Sequence, residues 1–324
     1  MARKLILDVD TGTDDAVAIM FAALHPELDL VGVTTVNGNV PVQNCTDNSL
    51  RVLDFIGRSD VPVHEGLSRP IVRHGFPGPK RFEPDSHLSM HGSSLPLPEP
   101  RSVKRDGGAV EYLLETLRGT ADEITLVPVG PLSNIAAVLA IDPRIVDVVP
   151  EVVVMGGGHQ VGNETASAEF NIWADPEAAQ MVLSAGFRKV TLVPLDATHQ
   201  ALVTRQDCDD LAALGTQAGI AAARLIGRRV DAYTAGSGVA VAGAAPVHDA
   251  VCTAYLVRPD VIDTRPLHVV VETQGRYTVG RTVMDTRTGS LQAPNCEVAY
   301  RADAELFVGL LRSVFAGQAE PAAR

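Results

Sequence analysis

Short β-branched runs alternate along this chain with longer helical patterns, and that alternation narrows the possible folds more than any other feature. "KLILDV" (residues 4–9) reads as a buried strand, and a helix follows from about Asp14 to Leu24. "LVGVTTV" (30–36) is a second strand, with a helix across 41–57. "ITLVPV" (124–129) precedes the helical "PLSNIAAVLA" (131–140). "EVVVM" (151–155), "KVTLVPL" (189–195) and "LHVVVET" (267–273) are further strands, and "ADAELFVGLLRSVF" (302–315) is a final amphipathic helix. The pattern predicts an α/β fold: one domain over residues 1–316, with a mostly parallel central sheet flanked by helices. In such sheets ligands sit outside the carboxyl ends of the strands. At 46% hydrophobic and 20% charged residues, 324 residues suffice for a sizeable core.

One region breaks the alternation. Residues 65–101 hold seven prolines and three histidines without periodicity, and a loop of this length reads either as a lid over the site or as a plain surface excursion. Residues 317–324 are expected to be a flexible tail. The formal net charge is -12 and no long Lys/Arg run occurs, which disfavours nucleic acid and anionic membranes as partners. Cys45, Cys208, Cys252 and Cys296 form no C-x-x-C pair, so free thiols in a reducing compartment are expected. Only three apolar residues precede Asp8 in "MARKLILDVD", too few for a signal peptide. No apolar stretch reaches about 18 residues, so no membrane span is expected. The expected location is cytoplasmic.

Asp8, Asp10, Asp14 and Asp15 crowd into "DVDTGTDD", where the first strand hands over to the first helix. Asp8 and Asp10 are two apart, so on a strand they share a face. Gly12 permits a tight turn, and the helix dipole favours Asp14 and Asp15 at its start. Each acid has an ordinary structural role open to it, as a helix cap or a satisfied buried carboxylate. Their convergence in one crevice calls for a cation, and hard carboxylate oxygens suit Ca²⁺ or Mg²⁺. An EF-hand does not fit, because Gly12 falls where a third ligand belongs and Ile19 where the bidentate Glu belongs. A haloacid-dehalogenase-like phosphotransferase shares the D-x-D start, but the order here is Thr11-Gly12-Thr13.

"DVDTGTDDAVAI" resembles the opening signature of the nucleoside hydrolases, the inosine-uridine preferring N-ribohydrolase family. "TTVNGN", "LVPVGPLSNIA", "VMGGG", "GNETASAEFNIWADPEAA", "LDATHQA", "PVHDAVCTAYLVRP" and "VETQGRYTVGRTVMD" follow as similar blocks in the same order. The resemblance implies hydrolysis of the N-glycosidic bond of ribonucleosides to ribose and free base, with bound Ca²⁺ and an oxocarbenium-like transition state. It implies carboxylate ligands from Asp10, Asp15 and Asp249 and a carbonyl ligand from Val129, with Asp8 supporting from behind. Asp10 doubles as the base that activates water, and His248 as the acid for the leaving base. Asp14, Asn39, Asn163, Glu169 and Asn171 are placed on the ribose, with Met155 and Phe170 beside it. Glu169 and Asn171 flank Phe170 and share a face if that segment is extended. His91 is placed with the substrate-binding residues, although "MHGSSLPLP" departs from the Gly-Leu-Asp-Gly-like continuation of relatives. Trp173 is expected in the core, and the base preference to be broad or to lean toward pyrimidines. A homodimer or homotetramer is implied by resemblance alone. Two alternatives stand beside this reading: the phosphotransferase, and a non-catalytic nucleoside- or sugar-binding protein.

Overall fold

The structure is a computed structural model that describes residues 2–83, 86, 89–119, 123–237 and 243–317. Its first strand, β1 (Arg3–Val9), is buried on both faces, which is why it reads as an unbroken apolar run. From there the chain runs through α1 (Thr13–Leu24), β2 (Leu28–Thr35), α2 (Val42–Phe55), β3 (Val63–Glu65), α3 (Ala109–Gly119), β4 (Ile124–Pro128), α4 (Ser133–Ile141), α5 (Ile145–Val148), β5 (Val152–Met155) and α6 (Phe170–Ala174). It continues through α7 (Pro176–Leu183), β6 (Val190–Val193), α8 (Leu195–Thr198), β7 (Leu202–Thr204), α9 (Arg205–Ala213), α10 (Gln217–Ala232) and β8 (Ala244–Pro246). The last part holds α11 (His248–Val257), β9 (Ile262–Val271), β10 (Thr282–Asp285), β11 (Cys296–Ala302) and α12 (Ala304–Phe315).

Nine strands form one sheet in the order β10-β9-β11-β6-β5-β4-β1-β2-β3, with β7 and β8 pairing separately. β1 runs parallel to both neighbours, β2 and β4, and the antiparallel pairs of the large sheet, among the described residues, are those of β9 with β10 and β11. The chain first winds outward through β2 and β3, then restarts on the other side of β1 with β4. The carboxyl ends of β1 and β4 therefore flank the topological switch point, where α/β sheets hold their ligands.

Two apolar layers cover the sheet. Leu5, Leu7 and Val9 face a layer that includes α1, α10, α11 and α12, while Ile6 faces one that includes α3, α4 and α7. On α12, Phe307, Leu311, Val314 and Phe315 are buried at helical spacing. Each such side chain contributes about 1.5–3 kcal/mol on burial, which anchors the last helix.

Element boundaries differ from the sequence reading by one to five residues, and two of the differences have a clear cause. The strand expected over 189–195 stops at Val193, because Pro194 ends it and α8 begins at Leu195. β9 begins at Ile262, five residues ahead of the expected 267, because Pro266 sits within a longer antiparallel ladder. The expected strand over 124–129 stops at Pro128. Beyond Glu65, the described residues of the 65–101 segment form neither helix nor strand. The expected tail lies, from residue 318 on, outside the described residues. All four cysteines are buried and unpaired. Among the described residues, no helix is long and apolar enough to cross a membrane.

Candidate active site

The pleat of β1 ends at Val9, and this separates the first two aspartates. Asp8 points with Ile6 toward α4, where Thr34 Oγ1 (2.6 Å) and Asn134 Nδ2 (2.7 Å) donate to its Oδ1. Burial pushes its carboxyl up to about 7 against those two donors. Asp10 lies past the strand on a free turn, and its Oδ2 accepts from Asn39 N at 2.6 Å. The expected common face does not form, because strand alternation no longer applies at residue 10. Asp10 lines a pocket of about 330 Å³, and Asp8 does not.

Asp15 accepts from backbone and from one side chain. Its Oδ1 accepts from Asp10 N at 3.1 Å, and its Oδ2 from Gly12 N at 2.8 Å and Asn39 Nδ2 at 3.3 Å. It thus caps α1 and ties the turn to the loop after β2. Two glycines make the turn possible. A Cβ on Gly12 would stand 1.9 Å from His91 Nδ1, and one on Gly38 would stand 2.0 Å from Asp10 Oδ2.

Asp249 arrives from the far end of the chain, in the first turn of α11. Asp14, Asp15 and Asp249 each place a ligand atom within 4.8 Å of the others. Burial, and then Asp15, raise Asp10 well above the carboxylate range; burial, and then Asp14, raise Asp15 to about 6. Burial and then Asp14, Asp15 and Asp10 do the same to Asp249. Four acids in one buried crevice, all held above their ordinary values, are what an unneutralised cation site looks like. The donors are hard oxygens, so the residues fit Ca²⁺ or Mg²⁺.

Asp14, Asn39, His91, Val129, Met155, Asn163, Glu169, Phe170, Asn171, His248 and Asp249 also lie on the pocket wall, whereas Asp8, Asp15 and Trp173 do not. Asn171 Nδ2 donates to Val129 O (2.7 Å) and Met155 O (3.2 Å), which joins the ends of β4 and β5. Asn163 Oδ1 accepts from Phe170 N at 2.9 Å. Glu169 and Asn171 do not flank Phe170 on an extended segment. Residue 170 begins α6, and Glu169 is its cap, accepting from Asn171 N, Ile172 N and Gly157 N. Burial raises Glu169 to about 7. His91 Nδ1 accepts from Thr13 N at 3.2 Å, so the 65–101 segment reaches into the site.

His248 is held at both ring nitrogens. Thr198 Oγ1 bonds Nδ1 at 2.7 Å and the Tyr233 hydroxyl bonds Nε2 at 3.1 Å. Burial and then the Arg229 cation push its pKa well down. Arg229, Tyr233, Lys80 and His199 line the pocket without having been singled out. Lys80 Nζ donates to the carbonyls of Gly38 and Asn39 and lies over the Phe76 and Phe170 rings. Trp173 is buried against those same rings, behind the pocket wall.

Comparison with known proteins agrees with this geometry. The family model described as inosine-uridine preferring nucleoside hydrolase matches residues 5–309. The pyrimidine-specific ribonucleoside hydrolase RihB of Escherichia coli is 38% identical over 317 residues, 97% of each chain. Among solved structures, a purine-preferring ribonucleoside hydrolase from Gardnerella vaginalis superposes with a TM-score of 0.88 at 31% identity, covering 98% of this chain and 99% of that one. A plant nucleoside hydrolase superposes with a TM-score of 0.86 at 30% identity, over 98% of this chain and 99% of its own. The phosphotransferase and the non-catalytic binder find no counterpart among these relatives. The chain belongs to the inosine-uridine preferring nucleoside hydrolase family, and it is a hydrolase of N-glycosyl compounds.

Proposed function

We propose that the protein is a Ca²⁺-dependent ribonucleoside hydrolase that acts on uridine and inosine, releasing ribose and free base. The observation that carries this reading is the convergence of Asp10, Asp14, Asp249, Asn39, Asn171 and His248 on one pocket at the switch point. Asp10, Asp15, Asp249 and the Val129 carbonyl would hold Ca²⁺. When bound, the cation supplies a lowered pKa for a neighbouring water and ligation for vicinal hydroxyls.

The residues do the rest. Asp10 takes the proton of the attacking water, and the Asn39 amide fixes the orientation of its carboxylate. Asp14, Asn39, Asn163, Glu169 and Asn171 grip the ribose, with Met155 and Phe170 packed beside it. His248 gives a proton to the departing base. Thr198 and Tyr233 hold its ring in place at both nitrogens. Trp173 stays behind Phe170, so no tryptophan clamps a purine, and the preference leans toward pyrimidines.

A panel of ribonucleosides and 2′-deoxynucleosides, scored by sugar release, tests this reading. Uridine and inosine should turn over, and deoxyuridine should lag by about 10⁴-fold, because a site built for a hydroxyl is left unpaired without it. His248→Ala should slow uridine by about 10²-fold and spare p-nitrophenyl riboside, whose leaving group needs no acid. Equal loss on both substrates removes His248 from the acid role.

A further inference from the structure

Arg229 is among the largest fully buried side chains, at 1% exposure, and it stands in the site rather than beneath it. Its Nη1 donates to Asp14 Oδ1 at 2.8 Å and to Thr13 Oγ1 at 3.2 Å. Its Nε donates to Pro246 O at 2.9 Å, two residues before His248. The guanidinium carbon lies 5.9 Å from the centroid of the Tyr233 ring. The fork is therefore fixed from three sides, and it links the start of α1 to the junction of β8 and α11.

We propose that Arg229 is a positioning residue that assigns Asp14 to the sugar and withholds it from the cation. This deepens the reading of the site as a ribonucleoside hydrolase and rests on it. Asp14 is close enough to Asp15 and Asp249 to share a cation with them. A planar guanidinium with several fixed contacts sets the plane of the carboxylate it pairs with, which a flexible ammonium does not do. With Oδ1 held by Arg229, the Asp14 carboxylate is fixed in one plane at the wall of the pocket that it lines, and a sugar hydroxyl is a donor it can meet there. Coordination then falls to the acids Arg229 does not touch. Stabilisation alone is a poor account of the pair, since burying a guanidinium and a carboxylate carries a desolvation penalty that rivals their attraction.

The test uses metal-depleted wild type, Arg229→Met and Arg229→Lys. Each is titrated with CaCl₂ by calorimetry and then assayed, with calcium, on uridine and 2′-deoxyuridine. Arg229→Met should bind Ca²⁺ about tenfold more tightly, because a unit of positive charge leaves the crevice and Asp14 is released toward the cation. Its preference for uridine over deoxyuridine should fall about tenfold or more, chiefly through a raised KM for uridine. Arg229→Lys keeps the charge and loses the fork, so its calcium affinity should stay within about threefold of wild type while the preference still falls. An unchanged preference in either folded variant, or weaker calcium binding by Arg229→Met, overturns the proposal. If Arg229→Met does not fold, Arg229→Lys decides through the substrate preference alone. A wild type that releases ribose from no nucleoside is a different result, because it overturns the hydrolase reading and the proposal with it.

Discussion

At the amino ends of β5 and β6, Glu151 is held by Arg3 Nη2 at 2.6 Å and Lys189 Nζ at 3.0 Å, with the Thr191 and Tyr255 hydroxyls at 2.7 and 3.0 Å. At the carboxyl ends of β1 and β4, four aspartates lie beside the buried Arg229, which pairs with Asp14, and Lys80 stands on the pocket wall. Glu151 is lowered by its donors, whereas Asp10, Asp15 and Asp249 are raised by burial and by one another. The carboxylates are buried at both ends. The difference lies in their charge balance: a cluster that closes on itself ties elements together, and one left open requires something from outside.

The largest effect should come from Asp10→Asn. It should lower turnover by about 10²–10⁴-fold, the usual contribution of a positioned base. In chelator, however, its melting temperature should equal or exceed that of wild type, because one of four repelling charges is gone. A variant that melts well below wild type in chelator would show that the open cluster is held by its own contacts.

Glu151→Gln should behave in the opposite way. It should lose about 1–2 kcal/mol of stability in urea unfolding and keep its kcat on uridine. The loss is modest because Arg3 and Lys189 are partly exposed, at 33% and 45%, and can be rehydrated when their partner is removed. A fall in kcat with stability unchanged would erase the contrast between the two ends.

The smallest effect is the most direct measure of the contrast. Glu169 is raised to about 7 from 4.5, so the folded chain holds a proton across a window in which the unfolded chain has lost it. Its contribution to stability therefore falls as pH rises from 4.5 toward 7. Glu151 is lowered below 4.5, so its contribution is present above that value and is lost as pH falls. Subtracting the pH–stability curves of Glu169→Gln and Glu151→Gln from wild type, all in chelator, should give slopes of opposite sign, neither above about 1.4 kcal/mol per pH unit. Two slopes of the same sign contradict the assignment of these two acids to different electrostatic regimes.

The parts of the site that were legible from the sequence are those whose neighbours are close in the chain. Asp10, Asp14 and Asp15 drew attention because they crowd one strand-to-helix turn, and His248 and Asp249 because they adjoin. Arg229 carries no local signal, since it is one arginine of an amphipathic helix whose partner Asp14 lies 215 residues away. Lys80 is similarly hidden in a proline-rich segment with no period to read. Glu169 was found as a site residue with the wrong local geometry, because a five-residue helix is too short to imprint a 3.6-residue pattern. The strands buried on both faces, β1 and β4, were read to within about a residue. The three-residue β3, β7 and β8 were not read at all, because runs that short are set by their pairing partners.

The interior position of β1 has a consequence in time. The strand that leads into the first acids has a neighbour on each side, and the second of them, β4, is translated more than a hundred residues later. Asp249 follows later still. A chain emerging from the ribosome therefore displays Asp10, Asp14 and Asp15 in water, where their mutual repulsion is weak, long before the crevice exists. The crowding sets in only when β4 and α11 close over them, close to the end of synthesis. On the proposed roles of His248 and Asp249, catalytic competence is thus acquired late, and a product truncated before α11 should be inactive.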